Sequence, residues 1–239
     1  MSTGPGRPVV LITGASGVLG RATAPAFASG GARLGLAGRD ADALTRVARD
    51  CGLSDDGWVA AVGDLRTAEG AAQTVAAVTE RFGPIDIALH LVGGWTTGTA
   101  VVDLDPADLA WMLDQHVWST FHLARAVVPS MVERGWGRFV AISSAYTTNP
   151  APRSAAYIAG KSAEEAILRV LARELAATGV TVNMVAVRTI DGEHQRETDP
   201  AARNAAWTTP EEIVATLRFL CSDDAAALNG TRIALDGRG

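Results

Sequence analysis

Aromatic residues supply only 5% of this 239-residue chain, and cysteine occurs twice, at Cys51 and Cys221. Two thiols so far apart match neither a metal-ligand nor a redox spacing. They exclude a disulfide scaffold and are read as reduced thiols of a cytoplasmic protein. No apolar run approaches the ~18 residues of a membrane span, and the opening MSTGPGRPVVLITG has no long apolar h-region. Basic charge is not in excess either: the formal net charge is −5, which argues against a nucleic-acid binder. No tandem repeat, internal linker or metal-ligand cluster is read. What the chain does have is Ala, Gly and Val within a 48% apolar composition, which suits buried parallel strands and close helix packing. The length fits one domain over 1–239.

Pro8 to Thr13 reads as a short buried strand. Thr13-Gly-Ala-Ser-Gly-Val-Leu-Gly20 follows and opens into a helical pattern from Arg21 to Ala28. A glycine turn between a strand and a helix start presents backbone N–H groups and the positive helix end to a pyrophosphate. Gly14, Ser16, Gly17, Val18, Leu19 and Gly20 are therefore candidate contacts, against the plainer reading of a tight turn. The second strand, Ala32 to Ala37, ends at Gly38-Arg39-Asp40. In dinucleotide folds an acid at this strand end takes the ribose hydroxyls, and a base receives a 2′-phosphate. Arg39 offers a planar, permanently charged fork for that phosphate, unless it is only a solvated residue beside the helix cap Asp40.

A helix over Asp40 to Cys51, a strand over Trp58 to Val62, a helix over Thr67 to Phe82 and a strand over Ile85 to Val92 follow in order. This alternation specifies a single-domain, doubly wound parallel sheet with helices on both faces. Ligands of such sheets bind beyond the carboxyl ends of the strands, where the loops at Gly14, Arg39, Asp64, Gly93 and Ser144 all fall.

Gly137 to Ile142 reads as another buried strand, and a long helix begins near Ser154. Tyr157 and Lys161 are four residues apart on it, so phenol and ammonium share a face. A nearby ammonium favours phenolate, which brings a tyrosine toward acid–base work near neutrality. Ser144, at the preceding strand end, has a hydroxyl within reach of the same substrate oxygen. Alone, Tyr-x-x-x-Lys reads more readily as an ordinary half-exposed helix pair.

Taken together, Thr13-Gly14 with its turn, Asp64, Gly93, the Ser144–Tyr157–Lys161 set and the closing Asp236-Gly237 resemble the short-chain dehydrogenase/reductase family over essentially the whole chain. The resemblance implies a Rossmann-type sheet of seven strands, a nicotinamide cofactor, and Tyr157 as proton donor to a carbonyl or imine substrate. It implies Lys161 on the nicotinamide ribose and Asp64 on the adenine, with Leu65, Val92, Gly93 and Val187 beside the cofactor. With Arg39, the expected cofactor is NADPH/NADP rather than NADH/NAD. Assembly as a homodimer or homotetramer through helices over 106–134 and 154–178 is also implied. The first of these carries more apolar residues (Trp111, Val117, Phe121, Leu123, Val127, Val128) than one sheet face is expected to bury.

Departures are equally plain. Gly14-x-x-Gly17-x-x-Gly20 is the spacing of the family's longer branch, with Val18 at the middle glycine position. His90-Leu91-Val92-Gly93 stands where Asn-Asn-Ala-Gly is usual, and Val187-Arg188 replaces Pro-Gly. His116 aligns with the tetrad asparagine that holds a water in the proton path, and is read as a relay, a substrate ligand or a packed histidine. His90 is read as supporting its turn by hydrogen bonding. Gly93-Gly94-Trp95 and Val117-Trp118-Ser119-Thr120 are also reminiscent of dihydropteridine reductases. Trp95 is the expected pocket tryptophan, and Trp58, Trp111 and Trp136 the packing ones. The polar stretch 188–208 corresponds to the family's substrate-covering segment. Thr209-Pro-Glu-Glu opens a capped amphipathic helix. Two further readings stay open: a non-redox dinucleotide binder, and an isomerase or cyclase using Tyr157 without hydride exchange.

Overall fold

The computed structural model describes residues 6–236. The expected last-strand motif Asp236-Gly237 lies partly outside them, since Gly237 is not among the described residues. Seven strands form one parallel sheet: β1 (Val9–Thr13), β2 (Arg33–Gly38), β3 (Trp58–Val62), β4 (Ile87–His90), β5 (Gly137–Ser144), β6 (Val180–Val187) and β7 (Arg232–Leu235). Their order is β3-β2-β1-β4-β5-β6-β7. Every residue of β1, β5 and β6 is buried, as strands covered on both faces require.

Alternation along β1 explains the layers. Val10 and Ile12 join one apolar cluster with the helices α1 (Val18–Ala28), α2 (Ala41–Asp50) and α8 (Pro210–Leu220). Val9 and Leu11 join the other, with α3 (Ala68–Phe82), α5 (Ser119–Arg134) and α6 (Ala155–Glu174). Between α3 and α5 runs α4 (Pro106–Leu113). Local capping agrees with the sequence: Asp40, Thr67 and Asp105 cap α2, α3 and α4, and Thr209 with Glu212 forms a full capping box on α8.

Three expectations need correction. The helix over 106–134 is not continuous: a π-turn over Asp114–Trp118 separates α4 from α5. Such a turn re-aims the side chains around it, and His116 sits in its middle. The helix expected to reach 178 ends at Glu174. Of the apolar residues expected to exceed the sheet's capacity, Leu123, Val127 and Val128 are buried within the single chain. Of the same set Trp111 is exposed as expected and Val117 and Phe121 are half-buried, and Trp118 and Val170 add exposed apolar surface that was not expected.

The 188–208 segment holds the short helix α7 (Gln195–Thr198) and a 3-10 turn over Ala202–Asn204. Asp191 accepts the N–H groups of Gln195 and Arg196, and Arg196 pairs with Glu212 of α8. Ile190 bridges to Thr208. The segment is thus pinned to α8 rather than free. Among the described residues no helix is long and apolar enough to cross a membrane.

Candidate active-site cleft

The chain reverses direction of winding between β2-β1 and β4, and a crevice opens at the carboxyl ends there. Gly14 has φ +67° and lies so close to β4 that a Cβ would stand 3.0 Å from the Leu91 carbonyl. At Gly20 a Cβ would stand 2.5 Å from the carbonyl oxygens of Gly14 and Ala15, so only glycine lets α1 start this tightly over the turn. Gly17 is the N-cap of α1 and provides no side-chain bond, which leaves the first N–H groups of the helix available to an anion.

Gly14, Ser16, Gly17, Arg39, Asp64, Leu65, Val92 and Gly93 line the cavity formed here, as the sequence indicated. Val18, Leu19 and Gly20 do not: Leu19 and Gly20 are buried beneath the turn, and Val18 faces Gly192. They shape the turn rather than wall the cavity. Asp64 is already engaged. Arg66 donates from Nε to both of its carboxylate oxygens, at 2.9 and 3.0 Å. Those hydrogen bonds hold the Asp64 carboxyl below the usual carboxylate range. Arg66 lines the same cavity and places a second guanidinium near Arg39; an Asp-x-Arg at a strand end was the available signal for it.

A second cavity, of about 480 Å³, shares Leu91, Val92 and Gly93 with the first. Trp95, His116, Ser143, Tyr157, Lys161, Val187 and Arg188 also line it. The ring of Tyr157 lies 5.4 Å from that of Trp95 and 5.6 Å, edge-on, from that of His116. Of the tryptophans, Trp95 therefore meets its expectation, whereas Trp111 is 39% exposed, with its ring edge beside Gly94. From the 188–208 segment only Arg188, Thr189 and Ile190 reach this cavity.

Lys161 is buried, and its ammonium donates to the Ile142 carbonyl and to Glu164, both at 2.7 Å. Glu164 is buried too and accepts from Thr120 of α5 at 3.2 Å. Burial pushes the Glu164 carboxyl up, and the Lys161 charge pulls against it. His116 places Nε2 3.0 Å from the Gly94 carbonyl; facing an acceptor, that nitrogen carries the proton. Its Nδ1 is left buried without a hydrogen bond, 3.8 Å from Glu164.

Ser144 does not line the cavity; its neighbour Ser143 does. The two hydroxyls differ in commitment. Ser143 donates to the buried Glu165, which also accepts from Thr147 and Arg232. The Ser144 oxygen accepts from the Tyr146 N–H at 3.2 Å, so its own proton remains to be given. Neither Glu164 nor Glu165 stood out in the sequence. Two acids on the core side of a helix that also buries Leu168 were the sign.

His90 performs the supporting role expected of it. The Ser119 hydroxyl is spent on the Gln115 carbonyl, so His90 Nε2 donates to Ser119, and Nδ1 accepts from Thr13 at 3.0 Å. One imidazole thus joins β1, β4 and α5 beneath the cleft. Among the described residues no cluster of His, Cys, Asp or Glu could hold a metal ion.

An anion-ready glycine turn, joined by one cleft to a Tyr–Lys pair on a doubly wound parallel sheet, defines an NAD(P)-dependent oxidoreductase of the Rossmann type. Comparison with known proteins places it: the family model described as short chain dehydrogenase matches residues 8–203, and the chain belongs to the short-chain dehydrogenase/reductase family. It is 33% identical to a subunit of the hydroxy(phenyl)methylsuccinyl-CoA dehydrogenase of Thauera aromatica, covering 96% of this chain and 93% of that one. It is 30% identical to D-threitol dehydrogenase of Mycolicibacterium smegmatis, covering 96% and 91%. Among solved structures, L-sorbose reductase of Gluconobacter frateurii, complexed with NADPH and L-sorbose, superposes with a TM-score of 0.86 at 25% identity, over 99% and 98% of the two chains.

Burial depresses both His90 and His116 from 6.5 to about 3, with the Lys161 charge adding to the effect. The unfolded chain takes up these two protons below pH 6.5, and the folded chain only near pH 3. Their contribution to stability is therefore complete above 6.5 and is lost as pH falls toward 3. Urea midpoints measured across that window should fall with acidification, and His90→Gln should flatten the slope. A slope unchanged in His90→Gln would contradict this account.

Proposed function

We propose that the protein reduces a carbonyl or imine carbon with NADPH, Tyr157 supplying the proton. The observation that carries this reading is the continuity of the cleft: Leu91, Val92 and Gly93 wall both the cavity of Arg39 and that of Tyr157 and Lys161. The residues present suit the dinucleotide. The uncapped start of α1 matches a pyrophosphate, and Arg39 beside Arg66 matches a 2′-phosphate. When bound, the nicotinamide supplies the hydride.

The chain's own residues do the rest. Trp95 and His116 flank the Tyr157 ring and set the phenol toward the cavity. Two of the three N–H bonds of Lys161 are held by Ile142 and Glu164, which leaves one for the cofactor ribose. Lys161 and Tyr157 line the same cavity, so the ammonium stands at the reacting end of the cleft. Ser144 keeps an uncommitted hydroxyl proton, but it is buried and off the cavity wall. Its role as oxyanion donor rests on its spacing from Tyr157 and needs the hydroxyl to turn toward the cleft. The reaction runs within a cytoplasmic protein whose two thiols are unpaired. Assembly as a homodimer or homotetramer is supported by an apolar groove along α5 and α6, lined by Phe121, Val128, Ile167 and Val170.

Tyr157→Phe keeps the ring and removes the proton. On a carbonyl substrate found by screening ketones, quinones, imines and pterins for NADPH consumption, it should lower kcat by about two orders of magnitude or more. NADPH affinity should hold. Wild-type turnover in this variant would refute the mechanism, and tight NADPH binding with no reduction of any compound would favour the non-redox reading.

Arg39→Ala should weaken NADPH about tenfold, the scale of a lost charge-assisted hydrogen bond, with NADH changed far less. Fluorescence titration of both cofactors checks this, and a wild type that prefers NADH would reverse it. Light scattering at micromolar concentration should give a dimeric or tetrameric mass; a monomeric mass would remove the assembly proposal.

A further inference from the structure

We propose that the substrate is an anion, a carbonyl compound bearing a carboxylate, and that Arg188 is the group that receives this carboxylate. The proposal rests on the reductase reading above and names its substrate class. Arg188 stands immediately beyond β6, next to Val187, which pairs with Ser144 across the sheet. It is exposed and lines the Tyr157 cavity together with Trp95. Its guanidinium carbon lies 5.9 Å from the ring centre of Tyr146. Tyr146 in turn lines an adjoining cavity that shares Trp95 and Tyr157 and is flanked by Arg153.

Outward from the Tyr157 phenol, then, the walls carry two guanidinium groups, two further aromatic rings and no carboxylate. Among the described residues neither Arg188 nor Arg153 has a carboxylate within 4.0 Å, although Arg66, Arg134, Arg169, Arg196 and Arg232 all do. Unpaired cations in the cleft of a chain with net charge −5 focus a positive potential at the site entrance. The cofactor phosphates have their own groups at the other end, in the α1 turn and at Arg39 with Arg66. The planar fork of Arg188 suits a carboxylate by two parallel hydrogen bonds, and Trp95 and Tyr146 offer flat faces to the body of an aryl or enolised substrate. A neutral substrate would take only ordinary hydrogen bonds from either arginine, without the charge-assisted pair a carboxylate makes.

The test compares phenylpyruvate and benzoylacetate with their methyl esters, using NADPH and the full chain. The wild type should favour each acid over its ester in kcat/KM by about tenfold, the scale of one charge-assisted bond, and the preference should shrink as salt is raised. Arg188→Gln should bring the acid-to-ester ratio close to one through KM, and Arg188→Lys should restore part of it. An equal preference in the wild type, or a ratio that Arg188→Gln leaves unmoved, overturns the proposal. So does a loss of NADPH affinity in Arg188→Gln as large as the loss for the acids, which would give this arginine to the cofactor. If no compound is reduced, the reductase reading fails, and calorimetric titration of the acids into NADP-loaded wild type and Arg188→Gln decides the anion site separately. Binding of the acids weakened about tenfold by the substitution upholds it, and no binding, or equal binding, overturns it.

Discussion

The ion pair between Lys161 and Glu164 is the contact on which the site most depends. Both side chains are buried, and removing charges from water costs several kcal/mol per ion unless the remaining protons and lone pairs are satisfied. Here they are shared among three elements: the carbonyl of Ile142 in β5, Thr120 in α5, and the two partners in α6. Deleting one partner alone leaves an uncompensated charge in the core, at a cost of about 3–5 kcal/mol. The pair therefore ties the end of β5, the helix that bears Tyr157 and the start of α5, just beyond the π-turn that bears His116, into one unit. It also limits what Lys161 does, because two of its N–H bonds are spent inside the protein and only one remains for the cofactor ribose.

Around that unit the protein separates its charges. Overall it is acidic, yet the cleft presents Arg39 and Arg66 at one end and Arg188 with Arg153 at the other. The one acid on the wall of the first cavity, Asp64, is held by Arg66. Two neutral histidines complete the design from below. His90 binds β1, β4 and α5 together, and His116 supports Gly94 next to Trp95. Neutral imidazoles add rigid hydrogen bonds without adding cationic charge beside Lys161.

Period and punctuation in the chain were enough for the architecture. Strands such as Trp58–Val62 and the capping box of Thr209 and Glu212 are local events, decided by residues adjacent in sequence. The same holds for the glycine turn and for the spacing of Tyr157 and Lys161 on one helix face. Long-range pairing was not legible. Glu165 meets Arg232 across 67 positions, Thr120 meets Glu164 across 44, and His90 meets Thr13 across 77. No periodicity encodes those meetings, because each is set by sheet order and by how α5 and α6 lie on it. The break of the 106–134 helix at Asp114–Trp118, and the choice between the hydroxyls of Ser143 and Ser144, were likewise decided by packing. Backbone preference is a property of neighbours along the chain, whereas the partner of a buried charge is found only once the chain has folded around it.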